Sequence, residues 1–420
     1  MERFVIEGGK NLSGEVTISG AKNSALPIIA AVLLTDKEVV LENVPDLIDV
    51  RTMIELAKHL GAHVEFNNNI LKIQARKISK ITAPYEIVRR MRASYYVLGA
   101  LIAREREAKV SLPGGCAIGP RPIDLHIKGL KTLGVDIEIE DGYINARAKK
   151  LKGREVNLQG PKGTSVGATI NVMLAATQAT GQTIISPAAC EPEVEDVANF
   201  LCHLGFDISG QGTHTIIVKG GCAPSGVHYT IIPDRIEAGT FAIAAAITRS
   251  TLSISDCRPD HLTGILEKLE EIGATVEKSE NKIVVTGNHQ MRATNIFVAS
   301  YPGFPTDMQA QCMALLSTVP GTSIIKETIF ENRFMQALEL MRMGADITIE
   351  GDTAVIKGVQ RLSGAAVMAS DLRASASLVL AGLVADGETV IRRIYHLDRG
   401  YEKFEVKLSL LGARIKRRPE

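Results

Sequence analysis

The segment Leu112-Pro113-Gly114-Gly115-Cys116-Ala117-Ile118-Gly119-Pro120-Arg121-Pro122-Ile123-Asp124-Leu125-His126 holds the residue types best suited to chemistry. One thiol stands among three glycines and three prolines. Glycine loosens such a loop and proline stiffens it, so a thiol there is exposed enough to meet a substrate. Arg121 and His126 lie close enough in sequence to tune the protonation of the thiol. On spacing alone the segment reads equally as a reactive-cysteine loop and as a long surface connection with an incidental Cys. Cys202 and Cys312, by contrast, fall in apolar helical stretches, where buried inert thiols are usual.

The elements that must position these groups are repeated. Six times a helix ends in an apolar residue and a glycine, and an alternating strand follows. The glycines are 61, 134, 205, 273, 344 and 412, separated by 73, 71, 68, 71 and 68 residues. Each reads as a left-handed C-terminal cap, where the helix stops and the strand begins. After each glycine a two-stranded stretch leads to a second helix rich in Ala and small residues. These second helices are predicted to begin near Ala21, Arg89, Ser165, Ile236, Thr306 and Leu372. A unit is thus about two helices and four strands, larger than a solenoid repeat. The sixth unit runs out at Glu420 one strand short. The stretch from Phe4 to Ile18 can supply that strand, because Gly8-Gly9 to Ile18 mimics Gly220-Gly221 to Ile231. Two α/β domains of three units each are predicted: 22–232, carrying the Cys116 loop, and 1–21 plus 233–420.

The N-termini of the second helices are six equivalent positions with conspicuous polar residues: Lys22-Asn23-Ser24, Arg92, Ser165-Val166-Gly167, Asp234-Arg235, Thr306-Asp307 and Asp371 with Arg373. Ordinary capping accounts for Asn23, Ser24, Asp234, Thr306 and Asp371, and Thr306 with Gln309 fits a capping box. It does not account for Lys22, Arg92 and Arg373. A cation near a helix N-terminus is disfavoured by the macrodipole, so three of them point to a polyanionic ligand.

Composition removes other classes. A chain of 420 residues should form two or more domains. A net charge of +1 gives no global field for nucleic acid or a membrane surface. Aromatics are only 4% and Trp is absent, which argues against base-stacking platforms and interfacial belts. The longest apolar run, Ala25 to Leu34, is too short to span a bilayer. Six cysteines without a CxxC pair speak against a zinc site or a disulfide framework. The expectation is a soluble cytoplasmic protein.

Across its whole length the chain resembles the UDP-N-acetylglucosamine 1-carboxyvinyltransferases, the enolpyruvyl transferases that open peptidoglycan precursor synthesis. The resemblance rests on Lys22-Asn23, the Cys116 loop through His126, Ser165-Val166-Gly167-Ala168-Thr169, Tyr301 to Asp307, Phe330 to Phe334 and His396 to Tyr401. It implies two inside-out α/β barrels with the active site in the cleft between them. It implies transfer of enolpyruvate from phosphoenolpyruvate to the 3′-hydroxyl of UDP-N-acetylglucosamine through a tetrahedral ketal, with release of phosphate. Cys116 is then the proton donor and Asp307 the base beside the sugar hydroxyl. Lys22, Arg121 and Arg399 are implied to hold phosphoenolpyruvate. Arg92, Arg121, Pro122, Ile123, Asp124, Leu125, Ser165, Val166, Gly167 and Ile329 match the UDP-sugar contacts. Asn23 matches a substrate-proximal amide, and Asp371, Arg373 and Arg333 sit in matched stretches. No cofactor, metal, nucleic acid or membrane is implied, and a monomer is expected. One departure stands out. Where the family often has a Lys two residues before Ser-Val-Gly, this chain has Gly163 in a longer turn, Gln159 to Thr164. Lys162 or backbone N–H groups must then hold the phosphate. Related 5-enolpyruvylshikimate-3-phosphate synthases share the architecture but have no matching Cys loop. A non-catalytic binding paralogue would not need Cys116 and Asp307.

Overall fold

The computed structural model describes residues 2–112 and 123–420, so the expectations for Cys116, Arg121 and Pro122 lie outside the described residues. The chain divides into two compact units, one of described residues 20–112 and 123–232, the other of residues 2–19 and 233–420. Each has its own apolar core. Six four-stranded sheets are present among the described residues.

Five of the six sheets share one pattern: a hairpin pairs antiparallel with a third strand, and a fourth strand joins that one in parallel; in the sixth, Glu2–Glu7 and Arg414–Pro419 stand in place of the hairpin. In the first repeat Glu38–Glu42 pairs antiparallel with Ile70–Gln74, which pairs antiparallel with His63–Asn67. The hairpin turn is Asn68-Asn69, both at positive φ, as a two-residue turn between right-twisted strands requires. The parallel strand, Val227–Thr230, comes from the far end of the same unit. The sheets alternate cleanly: Glu38 is exposed while Val39 and Leu41 are buried, so each sheet turns one face outward.

The Ala-rich helices lie inside. Lys22–Ala31, Tyr96–Glu105 and Val166–Ala176 form the centre of one unit. Arg235–Ile247, Gln309–Leu316 and Leu372–Val384 form the centre of the other. Every residue of Arg235–Ile247 is buried, as expected of a helix with no polar stripe. Each unit is therefore an α/β barrel turned inside out, with helices within and sheets without. The outer helices end as predicted: glycines 61, 134, 205, 273, 344 and 412 all have φ between +90° and +115°.

Three details differ from the sequence reading. The second inner helix does not begin near Arg89. A short helix Tyr85–Val88 and a 3-10 turn Arg92–Tyr95 precede the helix that starts at Tyr96. The capping assignments hold only in part. Asp234 and Asp371 cap their helices, and so does Ser165, whereas Asn23 and Ser24 lie inside theirs. Thr306 opens a 3-10 turn and its hydroxyl goes to Glu327, so no capping box forms with Gln309. Finally, the N-terminal strands complete more than the sixth unit. Glu2–Glu7 enters the sixth sheet, and Ser13–Thr17 pairs in parallel with Thr251–Ser255.

Candidate functional site

In the unit of residues 20–232, several of the described groups assigned to a sugar nucleotide lie around His126. Ile123, Asp124 and Leu125 lead into the helix Asp124–Thr132. Ser165 accepts a hydrogen bond from Ala168 N at 3.2 Å and so starts the helix Val166–Ala176. Arg92 heads its 3-10 turn. The His126 ring meets the Tyr95 ring at 5.9 Å between centroids. A Cβ on Gly167 would lie 2.9 Å from His126 Cε1, so glycine there makes room for the imidazole. Leu125 packs against Gly160, where a Cβ would come within 3.0 Å of its Cδ1.

The sequence suggests His126 either as a group that tunes the Cys116 thiol or as a solvated helix residue. In the structure the residue is half-buried, and its ring is not cationic. Burial drives its pKa down to about 4, with Asp124 pulling upward and Arg92 adding to the drop. The imidazole is therefore neutral at pH 7. Its Nδ1 lies 2.9 Å from Asn171 Nδ2.

Lys22 opens the first inner helix and pairs with Asp49 Oδ2 at 3.3 Å, both residues being buried. Part of the anion its position calls for is thus inside the chain. Asn23 is half-buried in the same turn. Next to it, Ser24 bonds Asp196, which also accepts from the Tyr229 hydroxyl at 2.6 Å. Gly160 and Gly163 close the turn 160–163 with reciprocal backbone bonds of 3.0 and 3.3 Å, and Lys162 projects from it, exposed.

In the other unit the focus is Asp307. Its Oδ1 accepts from Arg333 Nη2 and its Oδ2 from Arg373 Nη2, each at 2.9 Å. The two arginine side chains are 4% and 3% exposed, whereas that of Asp307 is 29% exposed. The carboxylate is thus held from below and looks outward, which a simple helix-dipole acid would not require. Burial opposes the charge on Arg373, but Asp307, with Tyr401 and Asp234, keeps it firmly protonated. Its guanidinium rests over the Tyr401 ring at 5.3 Å, and its Nε and Nη1 have no hydrogen-bond partner among the described residues. Glu327 Oε1 accepts from Ile329 N at 2.7 Å and Phe330 N at 3.2 Å, while its Oε2 takes the Thr306 hydroxyl at 2.8 Å. Glu327 therefore sets the turn that presents Ile329 and anchors the turn bearing Asp307. Arg399 ends the 3-10 turn Ile394–Arg399, whose Asp398 is gripped by both Nη atoms of Arg417 at 2.9 and 2.7 Å.

Asp49, Asn171, Glu327 and Arg417 were not singled out in the sequence. Asn171 alone left a visible signal, an amide in a helix otherwise of apolar and small residues. The others act across long sequence separations that no local pattern reports.

The sequence profile of the family described as EPSP synthase (3-phosphoshikimate 1-carboxyvinyltransferase) matches residues 6–408. A protein of Methylacidiphilum infernorum named UDP-N-acetylglucosamine 1-carboxyvinyltransferase is 55% identical over 417 residues, covering 99% of each chain. A protein of Carboxydothermus hydrogenoformans named UDP-N-acetylglucosamine 1-carboxyvinyltransferase 2 is 54% identical over 419 residues, again covering 99% of each. Among solved structures, the enolpyruvyl transferase NikO from Streptomyces tendae superposes with a TM-score of 0.89 at 26% identity, covering 99% of this chain and 98% of that one. An EPSP synthase from Acinetobacter baumannii, at 18% identity and a TM-score of 0.77 over the full length of both, shares the fold.

Proposed function

The chain belongs to the EPSP synthase family of carboxyvinyltransferases, and from that premise we propose that it moves the enolpyruvyl group of phosphoenolpyruvate onto the 3′-hydroxyl of UDP-N-acetylglucosamine. Phosphate is released, and the product enters peptidoglycan precursor synthesis. The observation that carries this reading is the agreement, over nearly the whole of both chains, with relatives of that name.

The chemistry divides among the residues as follows. The sugar hydroxyl adds to C2 of phosphoenolpyruvate, losing its proton to Asp307 while Cys116 protonates the methylene carbon. The ketal then loses phosphate and a methyl proton to restore the vinyl group. Asp307 suits the base role by its placing: Arg333 and Arg373 fix the orientation of its carboxylate, which stays partly exposed. Lys22, Arg121 and Arg399 hold the donor's phosphate and carboxylate, for which guanidinium forks are well shaped. Arg92, Arg121 to Leu125, Ser165 to Gly167 and Ile329 hold the sugar nucleotide, with Asn23 and Arg373 beside the reacting groups. No cofactor or metal enters, and the partners are these two small molecules. The reading also carries a cytoplasmic monomer; among the described residues no helix is long and apolar enough to cross a membrane.

The test is phosphate release from purified protein. It should require both substrates, vanish in Cys116→Ser and persist in Cys190→Ser. Release with shikimate 3-phosphate in place of the sugar nucleotide, or full activity in Cys116→Ser, would overturn the assignment.

A further inference from the structure

Asn171 is completely buried in the second turn of the helix Val166–Ala176. Burying an amide without partners costs about 1–3 kcal/mol, so its bonds show what it is for. Its Oδ1 accepts from Gly99 N at 2.8 Å. Its Nδ2 donates to Tyr95 O at 3.0 Å and lies 2.9 Å from His126 Nδ1. Those bonds fix every orientation. A backbone N–H needs the amide oxygen and a backbone carbonyl needs the amide nitrogen, so the amide cannot be flipped. Its second N–H then points at His126 Nδ1, which must be the acceptor. The imidazole is held as the Nε2–H tautomer, with Nε2 toward Gly167.

The three tethered segments are the ones given to the sugar nucleotide. Tyr95 closes the turn that begins with Arg92. His126 follows Ile123, Asp124 and Leu125. Asn171 belongs to the helix that Ser165, Val166 and Gly167 begin. Gly99 completes the device, since a Cβ there would come within 2.4 Å of Asn171 O and 2.8 Å of its Oδ1. No apolar residue of similar size can tie three separate segments, because dispersion fixes neither direction nor tautomer.

We propose that Asn171 is the positioning residue of the sugar-nucleotide subsite, holding the Arg92 turn, the Ile123–Leu125 entry and the Ser165–Gly167 helix start in one register through its bonds to Tyr95, Gly99 and His126. The proposal rests on the functional reading above for the identity of the ligand. It makes Asn171 a determinant of sugar-nucleotide affinity without contact to substrate.

The experiment compares wild type with Asn171→Leu, His126→Phe and His126→Gln. Calorimetric titration with UDP-N-acetylglucosamine, steady-state KM for each substrate, thermal melting and imidazole 15N shifts are measured on the full chain. Asn171→Leu should weaken sugar-nucleotide binding about tenfold while the KM for phosphoenolpyruvate stays within about twofold, tenfold being about 1.4 kcal/mol. His126→Phe, which cuts one tether, should weaken the same ligand with little change in melting. His126→Gln keeps an acceptor for Asn171 and should restore affinity. In wild type the His126 nitrogens should report the pure Nε2–H tautomer, and in Asn171→Leu a mixture. If Asn171→Leu fails to fold, the two His126 variants decide alone. Equal rises in both KM values, or lowered melting with sugar affinity retained, would overturn the proposal. A wild type that does not bind the sugar nucleotide would instead overturn the functional reading, and the tautomer would still report on the tether.

Discussion

The residues that could do chemistry separate by how their protonation is set. Burial pushes the thiol of Cys257 up to about 11 and that of Cys312 to about 12, and it raises Cys190 and Cys202 as well. Thiols so placed are poor nucleophiles at pH 7. Exposure of the protein to fosfomycin should give one adduct, on Cys116, by intact mass and peptide mapping. An adduct on Cys190 or Cys257 in folded protein would contradict the assignment. His126 makes a second case. Its folded pKa of about 4 lies below the 6.5 of the free side chain, so the unfolded chain binds the proton first. Its contribution to stability is whole above pH 6.5 and is lost as pH falls toward 4. His126→Gln keeps the hydrogen-bond acceptor but does not titrate. Between pH 6.5 and 4 wild type should lose about 3 kcal/mol relative to this variant, each tenfold difference in proton affinity being worth about 1.4 kcal/mol. Parallel denaturation curves across that range would refute the neutral imidazole. The sequence showed the types and spacing of these residues. It could not show that Lys22 has Asp49 and Arg373 has Asp307 as internal counter-ions, because those pairs span 27 and 66 residues.

At the scale of elements the glycine signal was the most legible feature of the chain, because a left-handed cap is a local requirement that a single residue type meets. Its energetic content differs between copies. Gly344 has a φ of +90°, and a Cβ there would meet nothing within 4 Å, so Gly344→Ala adds backbone strain alone. Gly61 has a φ of +115°, and a Cβ there would also meet Lys77 O at 2.7 Å and Ser79 N at 2.9 Å. Gly344→Ala should therefore cost about 1–2 kcal/mol by the left-handed penalty, and Gly61→Ala clearly more. Urea unfolding of the two variants checks the order, and a Gly344 variant the less stable of the two would show that steric crowding does not separate the copies. The helix starts were less legible. Ser165, Asp234, Thr306 and Asp371 are all good caps by type, yet Thr306 spends its hydroxyl on Glu327, 21 residues away. Tertiary partners of this kind override local preference, and no spacing rule reports them.

Across the whole molecule the repeat explains why the N-terminus belongs with the C-terminal half. In the unit of residues 20–232 the last strand, Val227–Thr230, returns to pair with the first, Glu38–Glu42, so the barrel closes from one continuous stretch. The other unit borrows its closure. Glu2–Glu7 is no edge strand, since it pairs with Glu388–Arg392 on one side and Arg414–Pro419 on the other. Its Phe4 and Ile6 are fully buried in that unit's core. Ser13–Thr17 then plays the part that Val227–Thr230 plays in the first unit. The sequence revealed the missing strand through the count of repeats, but a count does not say which neighbour a strand pairs with. Removal of residues 2–18 should open the sixth sheet at its centre, strip the fourth of its parallel strand and unfold residues 233–420. Residues 20–232 have a core of their own and should stay folded. Hydrogen exchange on the shortened chain reads both halves at once: protection kept at Leu41, Val64 and Ile170, and lost at Ile254, Ile325 and Ile391. Loss at all six positions would show that the first unit cannot hold without the second, and protection at all six would show that the borrowed strands are dispensable.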